Sequence, residues 1–278
     1  MPETDTSFAY ASASERRERL AQFVTGQGYC TILELAQLFG VSEMTIRRDV
    51  GRLVGEGRLR SFHGGVGSLV PTDILGVDYT ARHHSHADAK RAIAARAVRM
   101  VRPGAVIAID AGTTPAGLAG LLGPELRAQI ITPSLPVVST LATHPGVEVT
   151  CLGGILHSES LSFSGPSTLA AISNLHVETL FLAASGLGER GAFCGNGFDA
   201  ITKRALIDVS DNVVLLADSS KFTTSSMVRV CGWDAIDVLV TDDALRREDE
   251  EMLAHYEVTI EKTRSAHPDN LELEGSAS

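Results

Sequence analysis

Three stretches near the N-terminus place apolar residues at helical spacing. Leu20, Phe23 and Val24 recur among charged residues ahead of Gly26 and Gly28, which predicts a first helix over 15–23 that stops at those glycines. Thr31 and Glu34 then stand at capping-box spacing before an apolar stripe of Leu35, Leu38 and Phe39, the second helix. Gly40 and Val41 make a short turn. Ser42 is placed to cap a third helix that buries Ile46, Val50 and Leu53 and ends near Gly55. Two short helices joined by a tight glycine-containing turn form the helix-turn-helix arrangement, in which the second helix enters the DNA major groove. Periodicity alone leaves a plain three-helix bundle as the other reading. Arg58, Leu59, Arg60, Ser61, Phe62, His63, Gly64 and Gly65 follow as a short strand pair with a glycine turn, a wing.

The pattern changes after residue 64. A polar segment over 71–86 with Pro71 and Gly76 reads as a linker, and a helical pattern over 87–100 is closed by Pro103 and Gly104. Val/Ile/Leu runs at 105–110, 129–132, 147–152, 179–183, 213–217, 238–241 and 257–260 then alternate with helical stretches. That alternation predicts an α/β fold with a mostly parallel sheet. The expected organisation is a small domain at 15–70, the linker at 71–86, a larger α/β domain at 87–262 and a disordered tail at 263–278 that lacks an apolar pattern.

Charge sharpens this division. The 278 residues carry a net charge of −10, which excludes a uniformly basic, nucleic-acid-coating protein. Residues 15–63, however, hold eight arginines (16, 17, 19, 47, 48, 52, 58 and 60) against six acids, so the acidic excess belongs mainly to the larger domain. Cys30, Cys151, Cys194 and Cys231 stand far apart, as neither zinc ligands nor a disulfide framework would. His83, His84 and His86 lie together without an accompanying carboxylate or thiolate set, and no metal or other cofactor is expected. Met1–Ser14 is polar without lysine or arginine, and no apolar run approaches membrane-spanning length, so the expectation is a soluble, cytoplasmic protein with no membrane partner.

Candidate chemistry falls in both domains. The third-helix positions not needed for packing are Ser42, Glu43, Met44, Thr45, Arg47 and Arg48, whose hydroxyls and guanidiniums can reach phosphates or base edges. With the wing, the candidate DNA-facing set is Thr31, Ser42, Thr45, Arg47, Arg48, Arg60 and His63. In parallel sheets ligands sit at the carboxyl ends of strands, and four motifs fall there. They are Asp110 with Gly112, Thr113 and Thr114; Gly153 and Gly154; Asp199 with Lys203; and Asp218 with Lys221. Hydroxyls and free amides of the first suit a phosphate, and the carboxylates and ammoniums suit hydroxyls and phosphate respectively. Each motif also has a plain reading, as a tight turn or, for Asp199 and Lys203, a solvated i,i+4 pair.

The literal residues narrow the choice. V-S-E-M-T-I-R-R-D-V over 41–50 and G-R-L-R-S-F-H-G-G-V over 57–66 closely resemble the N-terminal signature of the DeoR family of bacterial transcription regulators, winged helix-turn-helix proteins. Val50 stands where a leucine is commoner. D-A-G-T-T, L-G-G, L-F-L-A-A-S-G-L, T-K-R-A-L and L-L-A-D-S-S-K-F extend the resemblance, in the family's order, to roughly residues 15–245. The resemblance implies operator binding by Ser42, Thr45, Arg47 and Arg48. It also implies a ribose-5-phosphate-isomerase-like sensor that binds a phosphorylated sugar at Gly112, Thr113 and Thr114, with Lys203, Asp218 and Lys221 at the remaining family positions. Pro133 stands where the family usually has asparagine, which removes an amide side chain and a backbone donor.

The resulting expectation is a sugar-phosphate-responsive regulator, a repressor of carbohydrate genes acting as a homodimer or tetramer on double-stranded DNA. The alternative is a sugar-phosphate isomerase with a DNA-binding appendage. Against it, Phe181, Leu182, Ala183, Ala184, Ser185 and Gly186 are uncharged where such an enzyme would carry an acidic cluster.

Overall fold

The computed structural model describes residues 13–27, 29–62, 65–68 and 77–264, which divide into two compact units. The first holds the described residues up to Ser85 together with Ser158–Ser160; the second holds the rest.

In the first unit, α1 (Ala13–Gln27), α2 (Ile32–Phe39) and α3 (Glu43–Gly55) pack against β1 (Tyr29–Thr31), β2 (Leu59–Phe62) and β3 (Gly65–Ser68). The strands form an antiparallel sheet in the order β1-β3-β2. Leu20, Val24, Leu35, Phe39, Ile46, Val50, Leu53, Leu59 and Val66 fill one core, so the helical stripes and the wing bury a common surface. The capping box at α2 is complete. Glu34 N donates to Thr31 Oγ1 at 3.1 Å, and Thr31 N donates to Glu34 Oε2 at 2.8 Å. Gly40 adopts φ 63° after α2, the left-handed conformation that lets the chain turn sharply into α3.

Three expectations are corrected here. Helix α1 continues through Gly26 to Gln27, because a glycine weakens a helix by only about 1 kcal/mol and tertiary packing outweighs that. Leu38 and Phe23 are exposed: Leu35 and Phe39 fill the space under α2, and Phe23 meets Phe39 edge-on at its rim. The segment read as a linker carries a helix, α4 (Val77–His84). His63 lies outside the described residues, as do 69–76 and the tail from 265.

The second unit is three-layered. Its elements are α5 (Ala87–Val98), β4 (Val106–Ile109), α6 (Thr113–Ala119), β5 (Ala128–Thr132), α7 (Leu135–Leu141), β6 (Val147–Cys151), β7 (Ile155–His157), β8 (Ser162–Ser164) and α8 (Pro166–Ile172). They continue with β9 (Val177–Ala183), β10 (Gly186–Gly188), β11 (Gly191–Cys194), α9 (Gly197–Asp208), β12 (Ser210–Leu216), β13 (Val228–Cys231), β14 (Val238–Asp242), α10 (Arg247–Leu253) and β15 (Thr259–Thr263). Seven strands form a wholly parallel sheet in the order β15-β14-β12-β9-β4-β5-β6. These are the seven apolar runs of the sequence, with the last shifted to end at Thr263.

Alternation along the strands divides the core between the two faces of the sheet. Leu180 and Leu182 of β9 pack with Ile172, Leu206 and Leu253 of α8, α9 and α10. Phe181, between them, packs with Ile93, Leu118 and Val137 of α5, α6 and α7. Two small antiparallel sheets, β10-β11-β13 and β7-β8, were not evident from periodicity because their strands are only three or four residues long. From β4 the chain moves outward through β5 and β6, then returns to β9 on the other side and continues to β12, β14 and β15. The reversal of strand order lies between β4 and β9, the place in an open α/β sheet where a ligand crevice forms.

Candidate functional site

In the first unit, Ser42 caps α3 by accepting from Thr45 N at 3.3 Å, and the two hydroxyls lie 3.0 Å apart. Arg47 is tied back to Glu43 at 3.4 Å, whereas Arg48 is exposed and forms no ion pair among the described residues. Asp49 is buried on the inner side of α3 and accepts from Arg16 Nε at 2.7 Å, clamping α1 to α3 and setting the direction in which the outer face points. Arg60 lies over the Phe62 ring at 5.3 Å. An open groove of about 360 Å³ runs between α3 and β2, with Arg47, Val54 and Phe62 among its walls. Thr31 is occupied by its capping box.

In the second unit, Asp110 follows β4 and is fully buried. Its Oδ2 accepts from Ala183 N at 2.9 Å, which bridges β4 and β9 at the reversal point, and from Lys203 Nζ. Lys203 also donates to Ala111 O at 3.3 Å and lies 3.8 Å from Asp199. The pair of Asp199 and Lys203 is therefore no solvated surface contact. Lys203 is buried in α9, and its main partner stands 93 positions away. Burial disfavours the ammonium, but Asp110 and Asp199 outweigh it and raise its pKa above the ordinary 10.5. On Asp110 burial is the largest influence and pushes the carboxyl upward against the pull of Lys203. Asp110 Oδ1 has no hydrogen-bond partner among the described residues.

Gly112 opens the turn into α6 at φ 156°, pressed so closely on β9 that a Cβ there would lie 2.7 Å from Ala183 Cβ. Thr113 and Thr114 follow, both buried. One strand beyond β9, Asp218 leaves β12 equally buried. Its Oδ1 accepts from Ser220 Oγ, while its Oδ2 has no hydrogen-bond partner among the described residues and lies 4.0 Å from Lys221 Nζ. The structure thus places Asp110, Gly112, Lys203, Asp218 and Lys221 at the carboxyl ends of β4, β9 and β12. Gly153 and Gly154 stand apart, beyond the edge strand β6, where Thr168 Oγ1 donates to Gly153 O at 2.7 Å.

Sequence reading missed Asp242, at the end of β14. Its carboxylate accepts from Ser219 N at 2.7 Å, Ser219 Oγ at 2.8 Å and Ala244 N at 3.0 Å, and so anchors the turn that carries Asp218 and Lys221. A lone aspartate after an apolar run offers no spacing signal. At Pro133 the chain is stapled rather than open: its carbonyl accepts from Phe163 N at 2.7 Å, and Thr132 Oγ1 donates to Ile109 O at 2.6 Å. Among the described residues no group of three His, Cys, Asp or Glu side chains could hold a metal ion, and no helix is long and apolar enough to cross a membrane.

Residues 16–72 match the DeoR-like helix-turn-helix domain, and residues 85–243 match the DeoR C terminal sensor domain. The chain belongs to the DeoR family. It is 32% identical to the L-fucose operon activator of Haemophilus influenzae, over 83% of this chain and 92% of that protein. It is 31% identical to the HTH-type transcriptional regulator YulB of Bacillus subtilis (84% and 90%) and 30% identical to the glycerol-3-phosphate regulon repressor of Escherichia coli (82% and 90%). Among solved structures it is similar to ribose 5-phosphate isomerase A of Methanocaldococcus jannaschii, at 22% identity over 49% of this chain and 55% of that one, with a TM-score of 0.37. As a DeoR-family member the chain is a DNA-binding transcriptional regulator with a sensor domain.

Proposed function

We propose that this DeoR-family protein represses carbohydrate genes and releases its operator when a phosphorylated sugar binds at the carboxyl ends of β4, β9 and β12. The observation that supports this reading is the pair of buried carboxylate oxygens, Asp110 Oδ1 and Asp218 Oδ2, that find no hydrogen-bond donor among the described residues and lie on either side of the strand-order reversal. An unmet buried acceptor is costly, and sugar hydroxyls would satisfy both. Gly112, Thr113, Thr114 and Lys221 take the phosphate. Lys203, enclosed by Asp110 and Asp199, holds Asp110 in place. Gly153 and Gly154 shape the neighbouring edge.

In the head, Arg47, Arg48 and Arg60 take phosphates or guanine edges, and Ser42 and Thr45 set the start of the recognition helix. The protein works in the cytoplasm as a homodimer or tetramer, whose paired heads address paired half-sites. The sensor binds without turnover, since the end of β9 is uncharged where an isomerase would carry an acidic cluster. Pro133, stapled to Phe163, narrows the choice of effector. The test is fluorescence anisotropy on a DNA site selected from random duplexes, with a panel of sugar phosphates added in turn. One compound is expected to weaken DNA binding. A compound that binds the sensor and strengthens DNA binding, or leaves it unchanged, overturns the repressor reading.

A further inference from the structure

The outer face of α3 has an arrangement that the charge pattern alone does not reveal. Successive helical residues turn by about 100°, so relative to Met44 the residues Ile46, Asp49, Val50 and Leu53 lie at about 140° to 240°. Those four are the buried side of α3. Met44 is therefore the point of the helix farthest from its core, and it is 80% exposed. Gly51 lies about 20° from it, two turns along, while Arg47 lies about 60° to one side and Arg48 about 40° to the other. A Cβ at Gly51 would meet nothing within 4 Å, so the middle of this face is low and open. Its centre line is thus an apolar side chain followed by bare backbone, with a guanidinium on each flank.

We infer that Met44 is a specificity-determining residue that packs against the 5-methyl group of a thymine in the operator. The inference rests on the DNA-binding reading of the head. In a recognition helix the N-terminal residues meet the base edges, and Met44 is in the first turn. The central line of the inserted face goes deepest, where the thymine methyl is the apolar feature of the major groove; the flanks meet the sugar-phosphate walls, which suits Arg47 and Arg48. An unbranched thioether adapts to that contact with little strain. Ser42 and Thr45, which face each other at the cap, leave the central position to Met44.

The test uses the full chain and the uracil substitution, which removes the thymine methyl and nothing else. The protein first selects a site from random duplexes, and affinity is then measured on duplexes in which each thymine in turn is replaced by uracil. At one position of each half-site the wild type is expected to lose about fourfold, the worth of one buried methyl. Met44→Ala is expected to bind the thymine duplex about fourfold more weakly and to be indifferent to uracil at that position. An unchanged melting temperature for Met44→Ala separates this from misfolding. Equal sensitivity of both proteins to every uracil, or unchanged affinity in Met44→Ala, overturns the inference alone. A wild type that enriches no duplex overturns the DNA-binding reading, and the inference with it.

Discussion

Lys203 reaches across from α9 to the carboxylate of Asp110, and that single ion pair ties the helix to the point where the strand order of the sheet reverses. Because both groups are buried, the contact behaves as a structural element of the site rather than as a surface charge pair.

Removing Lys203 leaves Asp110 enclosed with no counter-charge to offset the burial that pushes its carboxyl upward. Lys203→Met is expected to lower stability by about 3 kcal/mol or more in urea denaturation, with part of the loss recovered in the double variant Lys203→Met/Asp110→Asn. The pH dependence follows from the raised pKa of Lys203. The folded state holds that proton more tightly than the unfolded one, so its contribution is complete below the ordinary value of 10.5 and is lost as pH rises through the raised folded value. The difference between wild type and Lys203→Met should therefore not shrink between pH 7 and about 10, and should shrink above it. A difference that shrinks below pH 9 contradicts the ion pair.

Effector recognition is expected to depend on the turn after β12. In a thermal-shift titration with the compound that stabilises wild type most, Lys221→Ala should weaken binding roughly tenfold through loss of a charge-assisted contact. Asp242→Asn should weaken it too without touching the ligand, because the amide keeps only one of the two acceptor oxygens that hold Ser219 N, Ser219 Oγ and Ala244 N, and the turn loosens. Both proteins should retain wild-type affinity for DNA. Undiminished effector binding in both would move the ligand away from β12.

Arg48, exposed and without an ion pair among the described residues, is the guanidinium of α3 best placed for a phosphate. Arg48→Ala should weaken binding to all duplexes alike and reduce the slope of log affinity against log salt by about 1. A loss confined to duplexes with one particular guanine would mean a base contact instead.

The cysteines report on the packing directly. Burial, with a smaller effect from Glu34, pushes the Cys30 thiol up to about 11, and burial pushes Cys231 up to about 11 as well. Cys194 is raised by burial and by Asp199, whereas Cys151 is exposed. An aromatic disulfide reagent at pH 8 should therefore label Cys151 promptly, the half-buried Cys231 slowly, and Cys30 and Cys194 only on unfolding. Rapid labelling of Cys30 would mean that the core of the head opens readily.

How much was legible before the structure follows from the range of each interaction. The seven strands of the parallel sheet were readable because burial on both faces imposes an unbroken apolar run, a local property of the chain. The capping box at Thr31 and Glu34 was readable for the same reason, since its partners stand three positions apart. The partner of Lys203 was not. Its i,i+4 neighbour Asp199 was visible, but desolvation and the approach of Asp110 exist only once α9 is laid against β4. Asp242 and the small β10-β11-β13 sheet were hidden likewise, one being a single residue and the other made of strands too short to show a period. Leu38 was misread because helical spacing defines a face but not how much of it the neighbouring elements cover. Periodicity and capping are written within one or two turns of chain. Which charge is buried, and against what, depends on residues brought together from opposite ends of a domain, and only the packed fold decides it.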